Sequence, residues 1–313
     1  MAVDFSSKIK RVLYQSRFCE QENFDVVISG STDVLEHTDE RKSFRISSRN
    51  LDKIETIYHS KRHLCFDRTF CERSNVWTVC ARIQVKGESQ IRPSFRIYLD
   101  KTDQWINVIQ VPDDRTRFSA CSFMKNIYVF GGCTVELIFK SCYKYDTKSS
   151  KWKVTANMND FRQNAACTVF QGKIVLTGGW DGDKRIGLSS VEAYDCYENK
   201  WDLLPCMINK RSLHGSVCMG NKLFVIGGNY NATCEVFDSS SMKFSSIKQL
   251  ERNCYYSVSA VSVGGKILIF CSYDRGGKGR VYTYFVDGNE LHCEGNYFLE
   301  FQRGVGFSKL FIV

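Results

Sequence analysis

Residues 162–201, RQNAACTVFQGKIVLTGGWDGDKRIGLSSVEAYDCYENKW, state once in full a pattern that recurs along the chain. An arginine opens a run of small and apolar residues, and a second apolar run ends in Gly178-Gly179. A variable loop follows, then a third run ending Tyr194-Asp195, a short turn, and Trp201 seven residues after the tyrosine. The diglycine is the anchor. Gly131-Gly132 closes NIYVF and Gly227-Gly228 closes KLFVI, at spacings of 47 and 49 residues. A fixed period of roughly 20 to 50 residues marks a repeat architecture, in which each unit buries its apolar faces only by stacking on its neighbours.

The aromatic pair repeats as Tyr145 and Trp152, Tyr194 and Trp201, Phe237 and Phe244. Working outward, Tyr98 with Trp105 and Tyr284 with Leu291 keep the seven-residue spacing, so five units share one ruler. Upstream of the diglycines stand Arg117 before FSACSF, Arg162 before QNAACTVF and Arg211 before SLHGSVCM. Small residues suit a strand crowded near the axis of a radial array. Each unit reads as this innermost strand, a second strand ending in the diglycine, a loop, a third strand ending in aspartate, a turn, and a fourth strand. That is one four-stranded antiparallel blade, and the fold class is an all-β propeller. Paired glycines at a strand end permit positive φ and close backbone approach. Asp146, Asp195 and Asp238 open turns in which the carboxylate can accept from backbone amides two residues on.

The unit ACTVFQGKIVLTGGW followed by SVEAYDCYENKW resembles the kelch repeat, with its innermost-strand arginine, diglycine, tyrosine and tryptophan. The similarity is strong over residues 117–249, where it is closest to the propellers of kelch-like substrate adaptors of ubiquitin ligases. Residues 253–298 carry Cys271 and Ser272 in place of the diglycine, after a Gly264-Gly265 turn. Residues 73–111 fit as Arg73, then ARIQVKG closing at Gly87, then Tyr98 and Trp105. The resemblance implies six blades. Residues 73–313 are read as the propeller and residues 1–72 as a divergent segment with two readings. DVVISG closing at Gly30 suits a second strand of a degenerate blade, with Phe44 and Leu51 in the aromatic slots. Alternatively Leu51, Ile54 and Tyr58 share a helical face, the remnant of a preceding helical domain. The tail GVGFSKLFIV reads as another innermost strand, able to close the ring by joining strands from both ends of the chain.

Composition agrees with a folded chain: 43% hydrophobic and 25% charged residues can bury a core. Residues 1–14 hold no continuous apolar stretch, and no uncharged apolar run approaches the ~18 residues of a membrane span. A cytoplasmic protein without membrane contact is expected. The formal charge of +9 is spread among acidic residues rather than gathered in a stripe, and no nucleic-acid motif is present. The fifteen cysteines form no C-x-x-C pair. Cys121, Cys167 and Cys218 recur at like positions in apolar segments, which suits small buried thiols.

Two sets of loops gather on one face of such a disc: the residues beginning each innermost strand and those following each diglycine. By resemblance to kelch-like adaptors, that face takes a peptide of a partner protein. Carried over by position, the candidates are Arg117; Arg162, Gln163 and Asn164; Arg211, Ser212 and His214. From the loops come Trp180, Asp181, Asn229, Tyr230, Tyr273 and Asp274, with Tyr255 and Tyr256 replacing the last unit's arginine. Arginine and large aromatics dominate interface energetics, and several arginines favour a short acidic segment. An equally open reading is that the arginines satisfy loop carbonyls. Cullin-RING ligase components become partners only if a BTB domain is supplied elsewhere, because about 70 residues are too few for the BTB and BACK domains of the adaptors.

No catalytic set emerges, no cofactor is implied, and a binding module rather than an enzyme is expected. The alternatives are an actin-associated kelch scaffold and, less favoured, a galactose-oxidase-like copper enzyme. Copper needs converging imidazole and phenolate ligands. Of five histidines, only His59 and His63 with Cys65 approach a metal-ligand spacing, and a fourth ligand is missing.

Overall fold

A computed structural model gives the backbone of twenty-six strands, β1–β26. Side chains are described over residues 110–124, 126–134, 136–228, 233–247 and 258–262, and at Lys266, Ile267, Ile269, Cys271 and Tyr284. The first strands are β1 (Asp25–Ser31), β2 (Arg41–Ser47) and β3 (Asn50–Ser60). β4 (Leu64–Glu72), β5 (Val76–Gln84), β6 (Ile91–Leu99) and β7 (Gln104–Gln110) form the second sheet. The third holds β8 (Ser119–Phe123), β9 (Asn126–Phe130), β10 (Cys142–Asp146) and β11 (Lys151–Thr155). β12 (Ala166–Phe170), β13 (Lys173–Thr177), β16 (Val191–Asp195) and β17 (Lys200–Leu204) form the fourth. It carries a two-residue-stranded hairpin, β14 (Trp180–Asp181) and β15 (Ile186–Gly187), in its post-diglycine loop. The fifth is β18 (Gly215–Met219), β19 (Lys222–Ile226), β20 (Cys234–Asp238) and β21 (Lys243–Ile247). The sixth is β22 (Ser257–Val263), β23 (Lys266–Ser272), β24 (Lys278–Asp287) and β25 (Glu290–Glu300).

The last strand, β26 (Gly306–Ile312), pairs antiparallel with β1, so the first sheet runs β26-β1-β2-β3 and is complete only with both ends of the chain. The innermost strands β26, β4, β8, β12, β18 and β22 neighbour one another in that circular order. The chain is therefore a six-bladed β-propeller, closed by the seam that the tail sequence implies.

The ruler in the sequence has a simple geometric cause. Tyr98 faces Trp105, Tyr145 faces Trp152, Tyr194 faces Trp201 and Phe237 faces Phe244 across the hairpin of the third and fourth strands. Their rings meet at 5.2, 5.0 and 5.1 Å in blades three, four and five. In blades three and four the indole N–H also ties the blade to the one before it. Trp152 donates to the Gln110 carbonyl at 2.8 Å, and Trp201 to the Ala156 carbonyl at 2.9 Å. Apolar clusters fill the spaces between blades. Cys121, Phe130, Ile174 and Tyr194 sit between blades three and four, and Val191, Leu223, Val225 and Phe237 between four and five.

Several outer details differ from the sequence reading. Residues Asn50–Ser60 are strand β3, not a helix. Phe44 faces Thr56 rather than Leu51, through a bulge between Ile46 and Ser47, and Tyr284 faces Cys293 rather than Leu291, because its hairpin turns between Asp287 and Glu290. The innermost strand of blade two, β4, precedes Arg73 instead of following it. Cys121, Cys167 and Cys218 pair with Tyr128, Leu176 and Leu223, which stand at three different offsets from their diglycines. They are not repeat equivalents.

The turns behave as read. Asp146 Oδ1 accepts from the Lys148 amide at 2.9 Å, Asp195 from Tyr197 at 2.9 Å and Asp238 from Ser240 at 2.8 Å. These amides hold all three carboxyls below their ordinary value of 3.8. Asp113, described below, is also held low: burial raises it, and the Arg115 guanidinium more than reverses the rise. A folded-state carboxyl held low contributes stability that is complete above the unfolded value and disappears as pH falls through the folded one. Denaturant midpoints should accordingly be flat from neutral pH to about 5 and drop below about 4. Asp113→Asn should remove part of that drop, and an unaltered acid limb would contradict the assignment.

Candidate functional site

Three arginines occupy equivalent places at the entry to the innermost strands of blades three, four and five. They are Arg115, Arg162 and Arg211, each 16 residues before the first glycine of its diglycine. Nη1 donates to that glycine's carbonyl, Gly131 at 2.9 Å, Gly178 at 2.6 Å and Gly227 at 2.7 Å. It also donates to the carbonyl just before the third strand, of Ser141, Ser190 or Thr233 at 2.8, 3.0 and 2.8 Å. Nη2 reaches the hydroxyl of the same residue. One guanidinium thus joins the end of the second strand to the start of the third, and meets the glycine carbonyl where the hairpin opens into the loop.

Each arginine has a different counterion. Arg115 pairs with Asp113 and lies over the rings of Phe139 and Tyr143 at 4.6 and 4.5 Å. Arg162 pairs with Asp160 and with fully buried Glu192 at 2.7 Å. Arg211 pairs with fully buried Glu235. The glutamates hold the incoming crossover as well: Glu192 accepts from the amides of Asn159 and Asp160, and Glu235 from those of Ile208 and Asn209. Side chains exposed by only 0, 1 and 2% at Arg115, Arg162 and Arg211 cannot face a partner. The structure therefore favours the carbonyl-satisfying role for Arg162 and Arg211, and replaces Arg117 by Arg115 as the repeat arginine of blade three.

Arg117 belongs to a second set. Arg117, Asn164 and Leu213, each two residues beyond its repeat arginine, adopt left-handed backbones with φ of 54, 54 and 57°. Non-glycine residues rarely do so, and such strain often marks functional positions. Their peptide groups link blade to blade. The Asn164 amide donates to the Arg117 carbonyl at 2.8 Å, Leu213 to Asn164 at 3.0 Å and Val258 to Leu213 at 3.0 Å. The arc runs over the entries of adjacent innermost strands, at the axial end of the loop face. Arg117 is exposed there, with Asn164 and Leu213 half-buried.

Other candidates separate into supports and surface. Gln163 is buried. Its Oε1 accepts from Cys133 Sγ at 3.0 Å and from Arg117 Nη1 at 3.4 Å, steadying the exposed cation. Ser212 and His214 are buried, and His214 Nε2 shares a 2.8 Å hydrogen bond with Thr177 Oγ1. Asp181 is buried and shapes the β14–β15 hairpin, accepting from the Asp183 and Lys184 amides and pairing with Lys184 Nζ at 3.0 Å. Burial raises its carboxyl, but Lys184 and these amides bring it below the ordinary value. Trp180 is half-buried at the start of the same hairpin. Asn229, Tyr230, Tyr255, Tyr256, Tyr273 and Asp274 lie outside the described side chains, as do His59 and His63.

Leu137 and Ile186 were missed. Both are exposed apolar residues in the post-diglycine loops of blades three and four. Between them Ile138 fills the notch left by Gly182, so the two loops abut. The available signal was the apolar content of CTVELIFK and WDGDKRIG, loops that sequence alone gives no reason to bring together. Among the described residues, no three His, Cys, Asp or Glu side chains gather to hold a metal ion. Nor is any helix among them long and apolar enough to cross a membrane.

Four-stranded blades, diglycine exits and buried guanidinium latches define the class: a kelch-type β-propeller. Residues 97–277 match the KLHDC2/KLHL20/DRC7 Kelch-repeats domain, and the chain belongs to that kelch-repeat family. Among curated relatives, Kelch-like protein 23 of Mus musculus is 28% identical over 124 residues, 40% of this chain and 21% of the relative. Spermatocyte protein spe-26 of Caenorhabditis elegans is 30% identical over 136 residues, 41% of this chain and 24% of the relative. Kelch-like protein 38 of Rattus norvegicus is 25% identical over 221 residues, 66% of this chain and 36% of the relative. The matched stretches thus span between 21 and 36% of these relatives' length. The solved structure of YjhT shares the fold with a TM-score of 0.55 at 13% identity, covering 69% of this chain and 73% of that one.

Proposed function

We propose that this propeller is a protein-binding module, not an enzyme, and that its loop face takes a short segment of a partner protein. The observation that carries the reading is the division of labour around each repeat arginine. The buried guanidinium holds the blade, while two residues on a left-handed backbone offers a different side chain on the axial rim: a cation at Arg117, an amide at Asn164, an aliphatic group at Leu213. Half-buried Trp180 and exposed Leu137 and Ile186 lie in the loops of the same face. That set suits an acidic residue followed by apolar ones, with the carboxylate on Arg117 in a charge-assisted pair.

By likeness to kelch-like relatives, the bound protein is a substrate presented to a cullin-RING ubiquitin ligase, with a BTB domain supplied elsewhere, and the site of action is the cytoplasm. An actin-associated scaffold is the second reading of the same binding face. We place residues 25–60 within the ring as the divergent first blade, and residues 64–72 as the innermost strand of the second.

Arg117→Glu combined with Trp180→Ala should cut recovery of the partner in quantitative pull-downs by about tenfold or more, the loss expected for two interface anchors. The melting temperature should stay within a degree or two of wild type. Equal recovery by the variant would remove this face from the proposal.

A further inference from the structure

We propose that Cys167 and Cys121 form an oxidation site between blades three and four, in which peroxide converts the two thiols into a disulfide joining adjacent innermost strands. The inference is independent of what the loop face binds.

The two cysteines meet because they are not repeat equivalents. Side chains along a strand alternate between its two sides. Cys121 on β8 pairs across its hairpin with Tyr128, and Cys167 on β12 with Leu176, one step out of phase relative to the diglycines. Cys121 therefore turns toward blade four and Cys167 back toward blade three. Both belong to the apolar cluster between those blades, two residues on from the point where Ser119 Oγ donates to the Ala165 carbonyl at 2.9 Å. Cys218, two steps further from its diglycine, turns the same way as Cys167 and so packs in the next cluster, between blades four and five. A third thiol, Cys196 just beyond the end of β16, edges the same cluster.

The pair is asymmetric in the way a two-step oxidation needs. Cys167 is only partly buried and can meet a small oxidant, whereas Cys121 is buried. Burial pushes the Cys121 thiol well up, so it stays protonated and does not compete for the first step. In that step Cys167, as thiolate, attacks one oxygen of hydrogen peroxide. The O–O bond breaks, and the departing hydroxide takes the proton that the thiol released, leaving a sulfenic acid and one water. In the second step Cys121 attacks the Cys167 sulfur. An S–S bond forms, the S–O bond breaks, and the Cys121 proton leaves with the hydroxide as a second water. Two thiols lose two electrons in total, and one peroxide gains them.

Trypsin separates the relevant thiols, because FSACSFMK (118–125), QNAACTVFQGK (163–173) and IGLSSVEAYDCYENK (186–200) each contain one cysteine. The folded, reduced full chain is exposed to hydrogen peroxide, alkylated, digested without reductant and analysed by mass spectrometry. The expected product is the first peptide linked to the second, two hydrogens lighter than their sum, with a raised melting temperature that dithiothreitol reverses. Cys121→Ala should abolish the link and let dimedone label Cys167, a result readable even if the variant is less stable. The proposal is overturned if wild type leaves Cys167 reduced while exposed Cys206 oxidises, or if the third peptide is the main linked partner. It also fails if dimedone labels Cys167 equally with and without Cys121.

Discussion

Arg162→Ala is expected to cost the fold about 3–5 kcal/mol, because it strands a buried glutamate and the Gly178 carbonyl at once. Glu192 is fully buried and pairs with the guanidinium at 2.7 Å. Without it, the carboxylate keeps the Asn159 and Asp160 amides but loses its cation. The carbonyls of Gly178 and Ser190 lose their Nη1 donor in the same step. Urea denaturation should show a large fall in midpoint, whereas Arg117→Ala, on the exposed rim, should move it by less than about 0.5 kcal/mol. The contrast decides between the two roles that arginines play here. Equal small effects from both substitutions would mean that the buried network contributes little. Arg162→Lys should recover only a fraction of the loss, since an ammonium cannot span two carbonyls, a hydroxyl and a carboxylate in one plane.

Gly178→Ala should be nearly as damaging for a different reason. Its φ of +56° already disfavours any side chain, and a Cβ there would press into the Arg211 carbonyl oxygen and against His214 Cε1. That carbonyl cannot retreat, because it accepts the Gly179 amide at 2.9 Å across the blade boundary. The left-handed backbone costs about 1–2 kcal/mol, and forced overpacking typically about 1–3 kcal/mol more. Gly220 supplies the control. At φ +59° it has nothing within 4 Å of an added Cβ, so Gly220→Ala should show the conformational part alone, about 1–2 kcal/mol. If the two substitutions were equally mild, close blade-to-blade approach would not be what the diglycine is for.

The architecture was legible because its strongest signals are local. A seven-residue aromatic spacing is the loop length that sets Tyr194 opposite Trp201, and a diglycine is demanded wherever a strand exit must approach the next blade's backbone. Both survive in the sequence without knowledge of what lies across the interface. The site was less legible. Arg115-Thr116-Arg117 offers two arginines, and only the 16-residue offset to Gly131 shows which of them is the latch. Burial is likewise invisible in a motif: Arg162 and Arg211 carry interface chemistry but spend it inside their own blades. The contribution of Leu137 and Ile186 depends on Ile138 packing against Gly182 from another repeat, a contact that no periodicity encodes. At the ends of the repeat array, a bulge between Ile46 and Ser47 and a turn placed between Asp287 and Glu290 take Phe44 and Tyr284 off the ruler.

The seam strand has a mechanical consequence. Val26 lies opposite Ile312, so the outward ends of β1 and β26 emerge side by side at one edge of their pairing. Tension applied between those ends would part the hydrogen bonds in succession, as a zipper opens, instead of loading them together in shear. A ring held by packing around its whole circumference would then yield at low force at one point, and optical tweezers should register release of β26 before any blade is lost.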